Sequence, residues 1–296
     1  MILQPEPRLY ERVSQIDFTS LYPSIIVKYN LSPETLRHPE RRGFLSSIIS
    51  PLLELRIETK RRKKLDSSYV GQDAILKWML VTCFGYTGYR NAKFGQIEVH
   101  ERITSISREL LMQIKELAEG MDLEVLHGIV DCLWVRGAGG VEEADEFKQA
   151  VERETGILTE KEDYDWIVFL PLADGGGAYN RYFGRLTSGR VKVRGVMARR
   201  GDTPPYVARM QKEIFELLAG ASSGEAVREA GAAAAAGDGH TPPGGEDQLF
   251  PPLRRSLGDK GAREAGAAPG AGHGDGICGG GCRELGGGGG GECCAF

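Results

Sequence analysis

Two acidic residues stand where the flanking sequence makes the chain turn. Asp17 closes the apolar run 13–17, which reads as a short strand; Asp131 opens the run 131–135, with Gly128-Ile129-Val130 separating it from the apolar run 123–127 as in a tight hairpin. Carboxylates presented together at strand tips can share a hard cation, because Mg2+ selects oxygen donors. Acids in such positions also serve as plain turn residues or caps. The complementary chemistry is cationic. Arg56, Lys60, Arg61, Arg62, Lys63 and Lys64 crowd one stretch, and Arg185, Arg190, Lys192, Arg194, Arg199 and Arg200 another. Such groups can grip phosphate oxygens, or simply solvate two faces of the molecule.

The elements that would position these groups can be read from periodicity. A turn at Tyr22-Pro23 follows the first strand and leads into a helical segment over 24–30. Residues 45–64 predict a helix that passes from apolar to basic, and 72–84 a second one; the polar stretch 65–71 would join them as a projecting hairpin. In 98–119, Ile103, Ile106, Leu110, Ile114 and Leu117 recur at spacings of three and four, the signature of a core helix. Residues 166–170 and 191–196 are further strand candidates, and Pro204-Pro205 precedes a helix ending near Leu218. There is no internal repeat.

Composition bounds the rest. With 41% hydrophobic residues in 296, the chain can bury a core, but residues 221–296 hold about half of its 41 glycines and read as a low-complexity, disordered tail. The net charge of −4 and pI near 5.9 argue weakly against a nucleic-acid partner, whereas the local basic runs argue for one. No apolar run could span a bilayer and MILQPEPRLYER lacks the apolar stretch of a signal peptide, so a cytoplasmic, nucleoid-associated protein without membrane contact is expected. Cys83 and Cys132 lie in apolar segments. Cys278, Cys282, Cys293 and Cys294 lack the paired spacing of a zinc ribbon.

The segment DFTSLYPSII, beginning at Asp17, resembles the first catalytic motif of family-B DNA polymerases, DxxSLYPSII, at all eight specified positions. Further matches follow in order. Arg56 and Lys60 fit the basic pair of the first fingers helix, and Lys77 and Gly85 fit KxxxNSxYG of the second, although Val81, Thr82 and Phe84 replace its Asn, Ser and Tyr. The third motif, YGDTDS, corresponds to His127-Gly128-Ile129-Val130-Asp131-Cys132, where only the second acid remains. Arg181 and Tyr182 fit a KKxY-like element that has lost its lysines, and Arg194 with Arg199 and Arg200 resembles the entrance to a thumb. The likeness runs over about residues 13–218 and is similar to that of a divergent prokaryotic, mainly archaeal, branch often regarded as inactivated.

The resemblance implies an α+β fold: a polymerase palm of antiparallel sheet with packed helices, helical-hairpin fingers, a partial thumb and the disordered C-terminal tail. It divides the chain into a first part of the palm (1–43), fingers (44–85), a second part of the palm (86–173), a palm–thumb junction with partial thumb (174–220) and the tail (221–296). It implies transfer of deoxynucleotides to a primer 3′-hydroxyl with two Mg2+ ions, replaceable by Mn2+, held by Asp17, Asp131 and the Phe18 carbonyl. Ser20, Leu21, Arg56, Lys60, Lys77, Val81 and Phe84 would meet the nucleotide, and Tyr22 would exclude a 2′-hydroxyl. Gly85, Tyr86, Arg181, Tyr182, Arg194, Arg199 and Arg200 would meet primer-template DNA. Too few residues precede Asp17 for an exonuclease domain, so no proofreading is expected, and a second polypeptide supplying absent domains is a further expected partner. The alternative is a polymerase-like scaffold that binds DNA or a replication partner without chemistry.

Overall fold

A computed structural model describes residues 2–197 and 200–237. Strands β1 (Ile2–Leu3) and β2 (Leu9–Phe18) are followed by helix α1 (Leu21–Lys28). Helices α2 (Phe44–Lys63) and α3 (Val70–Thr87) form the anticipated hairpin, joined by a 3-10 turn over Ser67–Tyr69 that Asp66 caps by accepting from the Ser68 amide. The long α4 (Ile97–Gly120) precedes the hairpin of β3 (Glu124–Ile129) and β4 (Cys132–Arg136). Then come α5 (Val141–Thr155), β5 (Thr159–Pro171), β6 (Gly177–Leu186), β7 (Val191–Arg194), α6 (Pro205–Ala219) and α7 (Gly224–Gly237).

The seven strands form one sheet in the order β1-β3-β4-β2-β5-β6-β7, antiparallel at every pairing. Its central strand β2 therefore lies between β4 and β5. Because strand side chains alternate, one set faces a helical layer and the other faces away from it. Ile16 and Phe18 of β2, with Leu133 and Val135 of β4, join α1, α4 and α5 in the main core, where Ile25, Ile103, Ile114 and Phe147 are fully buried. The intervening positions turn Cys132 and Trp134 to the opposite side, against Tyr164, Phe169 and Tyr182. Asp17, between Ile16 and Phe18, emerges on that opposite side.

Strand β1, helix α5, strand β6 and helix α7 were not foreseen. Helix α5 carries an apolar face of Ala144, Phe147, Ala150 and Val151, a helical period that was legible but hidden among eight charged residues of fifteen. Strand β6 was concealed by its glycines and by exposed Asn180 and Arg181; its pairing with both β5 and β7 makes it a strand. The tail boundary also requires correction. Residues 224–237 form α7, and Ala221 and Val227 join Leu218 around the fully buried Trp166, whose indole N–H donates to the Ala221 carbonyl at 2.8 Å. Alanine's helix preference and this contact with the sheet outweigh the low-complexity composition. The remainder of the expected tail, with its four cysteines, lies outside the described residues. Among the described residues no helix is long and apolar enough to cross a membrane.

Candidate active site

Asp17 is the penultimate residue of β2, paired with Cys132 on one side and Glu160 on the other. Asp131 lies in the two-residue turn before Cys132, and the Phe18 amide donates to its carbonyl at 2.8 Å. This bond ties the turn to the end of β2, beside Asp17. The turn's other residue, Val130, has φ 51°, a left-handed conformation that costs a β-branched residue about 1–3 kcal/mol. Ser20, which starts α1, is left-handed as well, at φ 56°.

The two carboxylates are half-buried and feel each other. Burial, followed by the charge of Asp131, pushes Asp17 up to about 7, against the opposing charges of Lys60 and Lys192; Glu160 adds to the rise. Asp131 is likewise raised by burial, with Lys77 opposing. Two half-buried acids of like charge repel each other when both are ionised, and their oxygen donors suit a hard divalent ion. Among the described residues no group of three or more His, Cys, Asp or Glu side chains is arranged to hold a metal.

The cations expected to face a triphosphate are near, but most are engaged. Arg56 is buried; its guanidinium donates to the Ser20 hydroxyl and lies 3.5 Å from Asp73, which also pairs with Lys63. Arg56 Nε and Asp73 Oδ1 are nevertheless buried without a hydrogen-bond partner, so the pair is charged but imperfectly satisfied. Lys60 pairs with Glu160 at 2.5 Å, and Lys64 with the same carboxylate at 3.8 Å. Lys77 is exposed, and its charge reaches Asp131. The first-turn amides of α1 have no intrahelical partners, as the reading of Ser20 and Leu21 required, although the Leu21 side chain is buried.

Tyr22 belongs to the same group. Its ring stacks on Phe84 at 4.0 Å, and Phe84 stacks on His100 at 4.6 Å. Burial and the charge of Asp131 raise its pKa, which sets it beside the acid pair. Phe84, unlike the tyrosine of the family pattern, thus supports Tyr22 from below. Val81, Gly85 and Tyr86 are exposed along α3.

The expected DNA contacts divide. Arg181 and Arg194 are exposed, but Tyr182 is only 4% exposed within the sheet's second core. Tyr182 is a core ring and not a surface contact, because strand alternation turns it inward. Arg200 is exposed and bidentate to Asp202, at 2.9 and 2.7 Å, and Arg199 lies outside the described residues. Glu160, Asp73, Lys192 and His100 were missed. Each reaches the site only through strand register or helix contact, which sequence spacing does not reveal.

An antiparallel sheet with packed helices, a half-buried acid pair at its strand ends and a basic two-helix hairpin is the fold class of a polymerase core. Comparison agrees. The family model described as "DNA polymerase family B" matches residues 1–43. "DNA polymerase 2" of Saccharolobus solfataricus is 34% identical over 235 residues, covering 75% of this chain and 36% of that protein. "DNA polymerase" of Archaeoglobus fulgidus is 29% identical over 240 residues, covering 73% and 30%. The solved family B DNA polymerase of Pyrobaculum calidifontis matches with a TM-score of 0.58 and 28% identity over 77% of this chain and 32% of that one. Over about three quarters of its length the chain is similar to family B DNA polymerases. It spans about a third of the length of these relatives.

Proposed function

We propose that this chain is the palm-and-fingers core of a DNA-directed DNA polymerase, adding deoxynucleotides to a primer 3′-hydroxyl under the direction of a template. The carrying observation is the half-buried, mutually repelling pair Asp17 and Asp131, with the Phe18 amide donating to the Asp131 carbonyl. Asp17, Asp131 and the Phe18 carbonyl would hold two Mg2+ or Mn2+ ions, which would supply charge neutralisation for the transferred phosphoryl group. The protein's own residues do the positioning. First-turn amides of α1 can donate to phosphate oxygens, as free helix N-termini do. Lys77 offers a compact cation near Asp131, and Tyr22, braced by Phe84, walls the space beside the acids.

A triphosphate would have to draw Arg56 from Asp73 and Lys60 from Glu160, because those ion pairs are already made. This requirement, together with Ile129 in place of the family's first acid, favours the second reading: a DNA-binding scaffold with weak or no catalysis. Primer extension with Mg2+ or Mn2+, run beside primer-template binding, decides between them. Extension that depends on Asp131 supports the enzyme; binding without extension in either metal selects the scaffold. In an extending enzyme, Tyr22→Ala is expected to lower discrimination against ribonucleotides by about 10²-fold. Unchanged sugar selection would remove Tyr22 from that role.

A further inference from the structure

Helix α3 turns Asp73, Leu76, Leu80 and Thr87 inward. On its opposite side, at helical spacing, stand Ile75, Trp78 and Tyr86, which are 63%, 68% and 55% exposed, with Tyr89 just beyond the helix at 52%. The exposure of Trp78 is not a habit of this fold. The chain's other two tryptophans, Trp134 and Trp166, are 1% and 0% exposed. Tyr86 and Tyr89 meet edge to face at 5.9 Å, so a ring face remains available about two turns along α3 from the indole.

The charge around these rings points to the occupant. From Arg56 to Lys93 the chain carries nine lysines and arginines against three acids, although its overall charge is negative. Of those acids, Asp73 is buried, Asp66 caps its own turn and Glu58 pairs with Arg62. Arg61, Lys77, Arg90 and Lys93 are exposed on the hairpin and the loop that follows it. Aromatic faces set among cations suit unpaired bases on a phosphate backbone, since every base offers a π-face and every linkage an anion. An apolar protein helix would gain from the rings but not from the cations.

We propose that this outer face of α3 is a stacking platform for single-stranded DNA, with Trp78 as its principal ring, taking the unpaired 5′ extension of the template. The assignment of that strand as template rests on the polymerase reading; the platform itself needs neither metal nor chemistry.

The chain carries its own reporter, because Trp78 is its one exposed indole. Titration with an oligothymidylate is expected to quench the tryptophan emission, with an affinity that falls as salt rises. By anisotropy of a labelled oligothymidylate, Trp78→Ala should weaken binding about 10-fold, and Trp78→Leu by a similar factor, since leucine keeps apolar area but cannot stack. Binding that is indifferent to both substitutions, or that leaves the emission unchanged, overturns the platform. Self-association or partner binding that Trp78→Leu preserves and Trp78→Ala abolishes, without oligonucleotide affinity, overturns it in favour of a protein contact. Primer extension without Trp78-dependent quenching defeats the platform alone. Quenching without extension defeats the catalytic reading and leaves this face as a single-strand binding surface.

Discussion

Replacing Asp131 by Asn is expected to lower primer extension by about 10²-fold or more, while making the metal-free protein harder to melt. The first effect is that of a lost transition-state charge contact, roughly 3 kcal/mol. The second follows from the raised pKa of Asp17. Its ordinary value is 3.8 and the fold pushes it up to about 7, so between those values the folded state holds a proton that the unfolded chain has released. Stability contributed by this group therefore falls as pH rises through that window and stays low above it. Removing the neighbouring charge relieves part of this cost, on the order of 1–2 kcal/mol for about one pKa unit. At about pH 8 the midpoint of thermal unfolding should rise by roughly 3–6 °C.

Adding millimolar MnCl2 should reverse the order. Wild type gains stability by binding the ion in its folded state only, and the variant gains less. Melting curves near pH 5 and pH 8, with and without the ion, separate the alternatives. If Asp131→Asn neither stabilises the metal-free protein at the higher pH nor weakens the Mn2+ effect, the two acids do not share a site.

The second large effect concerns the far side of the sheet. Trp166→Ala should destabilise the fold by about 3–5 kcal/mol, measured by urea unfolding, because a fully buried indole leaves a cavity that its neighbours only partly fill. The loss would be local in consequence. Trp166 touches Leu218, Ala221 and Val227, its ring meets Phe183 at 6.0 Å, and Phe183 in turn meets Phe215 of α6 at 5.3 Å. Beside this cluster the Gly224 amide donates to the Glu11 carboxylate, fixing the start of α7 to β2. Limited proteolysis of the variant should cut first between β7 and α7. Trp166→Phe keeps most of the volume but leaves the Ala221 carbonyl unpaired, for a smaller loss of about 1–3 kcal/mol. A loss below about 1 kcal/mol for Trp166→Ala would mean that α6 and α7 are not held by this ring.

The sequence by itself determined the local structure around the chemistry. Val-Ser-Gln-Ile before Asp17 makes a strand, the apolar-to-basic run after Phe44 makes a helix, and a two-residue turn leaves Asp131 at its tip. These are nearest-neighbour effects of periodicity and turn chemistry, and the motif order matched them to a family of polymerases. Tertiary structure decided what each charged group faces. Register set Glu160 opposite Asp17, helix packing set Asp73 against Arg56 and Lys63, and strand alternation turned Tyr182 into the core. Such contacts join residues far apart in the chain. Spacing along one segment can predict which face a residue occupies, but what lies across from that face depends on how strands and helices are assembled.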